Sequence, residues 1–211
     1  FEIAKIKQFS DIKDSINCLE KALNLRKYFP PYVKFYLELL IQNKNYNTAK
    51  KFLRKAWANN PHPEYKSVIT ILSNNLQIEI VDLVNFIVSR NSKHYESIIL
   101  IVEAAITSKK WDIARNNIKE LLDVQPKKEV CLLMAKIEEG ESDNMQKKNS
   151  WIARSKNGVD SNIWVCVISN KTQNEWSSVS DAGHFNSLEW KQPFMLNQFN
   201  SSNNSLFYEN R

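Results

Sequence analysis

Apolar residues return at intervals of three and four through most of residues 1–155, with lysine, asparagine and glutamate filling the positions between them. That spacing predicts a succession of amphipathic helices rather than strands. A longer period lies over the short one. Ile12, Ser15, Leu19 and Ala22 recur 34 positions later as Tyr46, Ala49, Leu53 and Ala56. The small residues at 49 and 56 let two helices approach closely, and Pro61 stops the helix that carries them. Upstream, Val33, Tyr36, Leu37 and Leu40 supply the apolar face of a preceding helix. Past Gly158 the period shortens. Residues 163–168 are strand-prone, 170–174 turn-like, Trp176 resumes a short strand, and Gly183 offers another turn before Phe185 to Trp190.

A second unit repeats the design. Trp111, Ala114, Ile118 and Leu121 lead to Pro126, and Ile98, Ile101, Val102 and Ala105 face them from a preceding helix. The two units share an aromatic start, a small residue one turn later and a closing proline, although Leu121 replaces the second alanine. The pattern resembles the tetratricopeptide repeat, whose helix pairs bury a core only by stacking on their neighbours. Residues 64–90 read as a degenerate unit with Leu83 and Arg90 at the alanine positions, and Val130 to Glu139 with Met145 to Ala153 as a last pair. The expectation is a mainly α, right-handed tetratricopeptide-like superhelix over residues 1–157. It has about four helix pairs, the first incomplete, and a concave groove lined by first helices. A Trp-rich β knuckle follows over residues 158–193, and a flexible polar tail over 194–211.

Composition narrows the chemistry. Three glycines among 211 residues disfavour sandwiches, barrels and phosphate-cradling loops, which need positive-φ positions. A net charge of +6 suits solubility or attraction to acidic partners or membrane surfaces, and is too mild to imply nucleic acid. Cys18, Cys131 and Cys166 are far apart and odd in number. They form no disulfide framework and favour a reducing, cytoplasmic setting. The longest apolar run, Val130 to Ala135, ends at Lys136, far short of a membrane span. The start at Phe1 leads us to expect a fragment or a processed product, which leaves room for a membrane anchor upstream.

Trp164 to Trp190 has the tryptophan spacing of a rubredoxin-like metal knuckle, in which two C-x-x-C pairs surround one ion. With Cys166 as first ligand, the other positions fall at Ser169, Ser178 and Asp181. One thiolate, two hydroxyls and a carboxylate make a poor soft-metal site. The expected core is therefore aromatic, built from Trp164, Trp176, Phe185 and Trp190 packing on one another and on the last helices. Repeats followed by Trp151-Ile-Ala153-Arg, Trp164-Val-Cys166, Glu175-Trp176 and Phe185-Asn-Ser-Leu-Glu-Trp190-Lys-Gln-Pro193 resemble the C-terminal region of HemY proteins, closest to their alphaproteobacterial form. The match runs roughly from Asp11 to Pro193. The resemblance implies a non-enzymatic scaffold anchored in the bacterial inner membrane by upstream helices. It would bind protein partners, late heme-pathway enzymes, in the groove. The alternatives are an envelope-assembly scaffold of the LapB type, a family that keeps the full cysteine set missing here, and a direct heme or tetrapyrrole carrier.

No catalytic, cofactor or metal residues are expected. His62, His94 and His184 are not paired at ligand spacing, and no nucleophile elbow or G-x-G-x-x-G occurs. His62, His94 and Cys131 are the candidates for axial heme ligation. Glu120, Glu138, Glu139 and Glu141 lie on or beside exposed helices, with no environment to split their pKa values. Lys44, Lys50, Lys51, Arg54 and Lys55 form a basic stripe with no acidic residue between Glu38 and Glu64, a surface for anionic lipid or an acidic partner.

Overall fold

The computed structural model describes residues 1–122 and 126–193; the polar tail foreseen at 194–211 lies outside them. The chain divides after Val159 into two compact units. The first holds ten helices: α1 (Glu2–Lys7), α2 (Ile12–Leu25), α3 (Pro30–Gln42), α4 (Tyr46–Asn59), α5 (Lys66–Leu76), α6 (Ile80–Val88), α7 (Tyr95–Thr107), α8 (Trp111–Ile118), α9 (Lys128–Ser142) and α10 (Met145–Ser155). These make five pairs among the described residues, rather than about four. The short α1 completes the first pair, because Ala4 is fully buried and its carbonyl accepts the Ser15 hydroxyl at 2.6 Å.

Each helix packs on the next in sequence, and α4 also packs on α6, so the core is built from local contacts as in a repeat array. The apolar periodicity marks that core. Val33, Leu37, Ala49, Leu53 and Ala56 are buried on α3 and α4, and Ile98, Val102, Ala105, Ala114 and Ile118 on α7 and α8. Leu83 is buried in the degenerate unit where an alanine was expected. Where the fourth pair meets the last, a glycine does the work of close approach. A Cβ at Gly140 would lie 2.2 Å from the Trp111 ring, so any other residue there would force the ring to shift.

The tight turn inside four of the pairs is closed by a residue with positive φ: Lys44, Gln77, Lys109 and Asp143, at 58°, 54°, 56° and 49°. None is glycine. In the first three, the next amide reaches back five residues, from Asn45 to Leu40, Ile78 to Ser73 and Lys110 to Ala105, at 2.8 to 3.1 Å. This is the Schellman ending of a helix, which satisfies carbonyls that would otherwise be left unpaired. The scarcity of glycine therefore did not remove positive-φ positions. The motif's hydrogen bonds hold ordinary side chains there at a conformational cost. Between pairs, asparagines lock the chain: Asn60 donates to the Tyr28 carbonyl and Asn91 to that of Trp57, each at 3.0 Å. Trp57, fully buried, donates through Nε1 to Ser97 at 2.8 Å.

Among the described residues, the second unit holds a three-stranded antiparallel sheet in the order β2-β1-β3, with β1 Ile163–Cys166, β2 Thr172–Gln173 and β3 Leu188–Lys191. Trp164 sits opposite Trp190 across β1 and β3, their rings edge to face at 5.3 Å. Trp176 lies outside any strand, contrary to the sequence reading, and Phe185 is 76% exposed rather than part of the core. So small a sheet encloses only a few side chains. Trp164, Val165, Cys166 and Leu188 fill it, with Trp190 half-buried.

Candidate functional site

The first helices α3, α5, α7 and α9 are joined by polar links, each running from one pair to the next. Lys34 on α3 pairs with Glu64, in the short 3₁₀ turn before α5, at 3.5 Å. Lys66, the first residue of α5, pairs with Glu103 on α7 at 2.8 Å. Tyr95, opening α7, donates to Glu129 on α9 at 2.6 Å, with the Lys127 ammonium 3.9 Å over its ring. Each link gives a partly buried charged or hydroxyl group a partner on the neighbouring repeat, which offsets the cost of burying it.

Glu96 is the unusual member. It lies half-buried in the first turn of α7, where the positive end of the helix should favour its anion. Burial instead raises its carboxyl to about 7. Glu129 and Glu103 push in the same direction, and Lys66 and Lys127 pull against them. Three carboxylates thus share two ammonium groups. Near neutral pH such a cluster gains from one more positive charge, whether a proton or a basic side chain brought from outside. The seam was not visible in the sequence, because its members sit about one repeat apart and their proximity depends on the stacking.

The structure places His62 and His94 as caps. His62 is buried, and its Nδ1 accepts the Glu64 amide at 3.2 Å; His94 does the same for Glu96 at the start of α7. Burial lowers the His62 imidazole to about 3 and lowers that of His94 as well, so both stay neutral and both have one ring nitrogen engaged. Cys131 is buried and its thiol is pushed up by burial. The heme-ligand candidates are therefore held in helix caps and core. Glu138, expected on an exposed helix, is buried and accepts from Arg115 at 2.9 Å; Arg115 also pairs with Glu141.

In the second unit, of the positions that the C-x-x-C spacing selected beside Cys166, Ser169 faces it and Ser178 and Asp181 do not. The Cys166 Sγ lies 3.3 Å from the Ser187 hydroxyl and 3.6 Å from that of Ser180, and Ser169 also hydrogen-bonds to it. Ser178 and Asp181 make no such contact, because the chain turns at Gly183 and brings Ser180 and Ser187 inward instead. Enclosure pushes this thiol up, and the hydroxyl and backbone donors outweigh it to leave it at about 6. Among the described residues, no group of three or more histidine, cysteine and carboxylate side chains is placed to hold a metal ion. No helix among them is long and apolar enough to cross a membrane.

No family model and no curated protein matches the chain. Among solved structures, it is similar to a crystal structure of MamA, at 12% identity and a TM-score of 0.42, over 74% of this chain and 94% of that one. At that level the likeness bears on no ligand or partner.

Proposed function

We propose that this chain is the repeat region of a HemY-like scaffold that binds other proteins along the face of its first helices. The observation that carries the reading is the polar seam across α3, α5, α7 and α9, with Glu96, Glu103 and Glu129 in carboxylate excess over Lys66 and Lys127. A partner presenting lysine or arginine on an extended or helical segment would relieve that excess around α7, where α5 and α9 contribute the other charges. The 34-residue register and the tryptophan-rich tail support the family assignment. Under it, the partners are late enzymes of heme synthesis, and the protein is held at the bacterial inner membrane by segments outside this chain. The protein organises those enzymes and performs no chemistry of its own. His62 and His94 each spend the Nδ1 lone pair on a helix cap, which leaves the proton on Nε2; that favours scaffolding over direct tetrapyrrole carriage.

Affinity co-purification from cells expressing the membrane-held protein tests the proposal. The native sequence should enrich late heme-pathway enzymes, and the double charge reversal Glu103→Lys with Glu129→Lys should abolish that enrichment. Equal recovery with both proteins, or none with either, would remove it.

A further inference from the structure

A second charged surface lies on the second helices and owes nothing to the seam. Lys50, Lys51, Arg54 and Lys55 occupy successive turns of α4, and the structure adds to them two residues that the sequence reading did not connect with the stripe. Phe86 of α6 lies under the Lys50 ammonium at 5.2 Å and under the Arg54 guanidinium at 4.6 Å. Arg90 follows the end of α6 at the position where the repeat pattern expects a second alanine. Together Lys51, Arg54, Lys55, Phe86 and Arg90 line a hollow of about 330 Å³.

Four observations bear on what this hollow holds. Among the described residues, no carboxylate pairs with any of its cations. The nearest acidic residue on α6, Asp82, lies one turn before Phe86 and does not line the hollow. Arg54 Nε is buried and has no hydrogen-bond acceptor in the protein. A buried donor left unmade costs free energy that an incoming acceptor would recover. Finally, the Phe86 face holds Lys50 and Arg54 in place before any ligand arrives, which lowers the entropy lost on binding.

We propose that this hollow is a binding site for a phosphate monoester. Two guanidinium groups favour an oxyanion that takes paired hydrogen bonds, and the surrounding ammonium groups favour a dianion over a single carboxylate. The volume is at the small end for ligand pockets and suits a compact headgroup rather than a large organic body. The same chemistry is offered by a soluble sugar or glycerol phosphate and by the headgroup of phosphatidic acid in a bilayer.

The two sources are separated with the full 211-residue chain. In one arm, glycerol phosphate is titrated while backbone amide resonances are followed. In the other, the protein is sedimented with phosphatidylcholine vesicles containing about one-fifth phosphatidic acid. Saturable shifts confined to α4 and the end of α6 support a soluble ligand, and vesicle binding without them supports the lipid headgroup. In either arm Arg54→Gln and Arg90→Gln should each weaken binding by about tenfold or more. Arg90 and Lys55 are exposed, so Arg90→Gln and Lys55→Gln keep the test valid should Arg54→Gln disturb the fold. The control Lys13→Gln with Lys21→Gln removes the same kind of charge from exposed positions on α2 and should change little. No response in either arm would overturn the proposal. So would equal weakening by the control, which would reduce the effect to net charge.

Discussion

At the scale of single residues, two positions carry strain that substitution can expose. Lys109 is exposed and holds φ at 56°, a conformation that costs a side chain roughly 1 kcal/mol. Glycine removes that cost and adds back some chain entropy, so Lys109→Gly should raise stability by roughly 0.5 kcal/mol and lift the thermal midpoint by a degree or two. A lowered midpoint would show that the side chain makes a contact that outweighs the strain. Glu96 gives a pH-dependent test. Its carboxyl rises from 4.5 to about 7 on folding, so between these values the folded chain keeps a proton that the unfolded chain has released. Stability from this group is therefore lost as pH rises through that window. Glu96→Gln should be more stable than the native sequence by roughly 1–2 kcal/mol at about pH 8, and the difference should vanish below about pH 4.5. Urea midpoints at the two pH values measure it, and an equal gap at both would contradict the assigned burial.

At the scale of elements, the helices were legible because their cause is local. Apolar spacing places Val33, Leu37 and Leu53 on buried faces, and proline and small residues mark where helices stop and meet. The turns were less so. Lys44, Gln77 and Lys109 have no side-chain feature that announces positive φ; their conformation is imposed by the backbone bonds that close each pair. Two positions of the knuckle were missed for the same kind of reason. Cysteine spacing selected Ser178 and Asp181 by count along the chain, whereas the turn at Gly183 decides that Ser180 and Ser187 face Cys166. Between α8 and α9, Arg115 bridges a buried carboxylate at Glu138 and a more exposed one at Glu141, whose side chains are 5% and 28% accessible. Arg115→Ala leaves Glu138 buried and unpaired and should cost about 3 kcal/mol, against less than about 1 kcal/mol for Glu141→Gln. Chemical unfolding of the two variants compares them, and equal costs would mean that burial of Glu138 does not govern this contact.

At the scale of the whole molecule, the proposed function depends on what the stacking brings together. Lys66 with Glu103 and Tyr95 with Glu129 are 37 and 34 residues apart, and each pair meets only because one repeat sits on the next. The period announced the array but could not show which charges would be stranded along it. The same holds for Arg90, which reads as a fault in the repeat until Phe86 and Arg54 are seen beside it. The two charged faces are chemically opposite: carboxylate-rich along the first helices, cationic on α4 and α6. They are therefore separable by experiment.

Hydrogen exchange of the chain, alone and with a purified late heme-pathway enzyme, tests the central claim most directly. The account predicts slowed exchange on first helices α3, α5, α7 and α9, lost on Glu103→Lys with Glu129→Lys, and no change on α4 and α6. Protection confined to the second helices, or none at saturating enzyme, would contradict it.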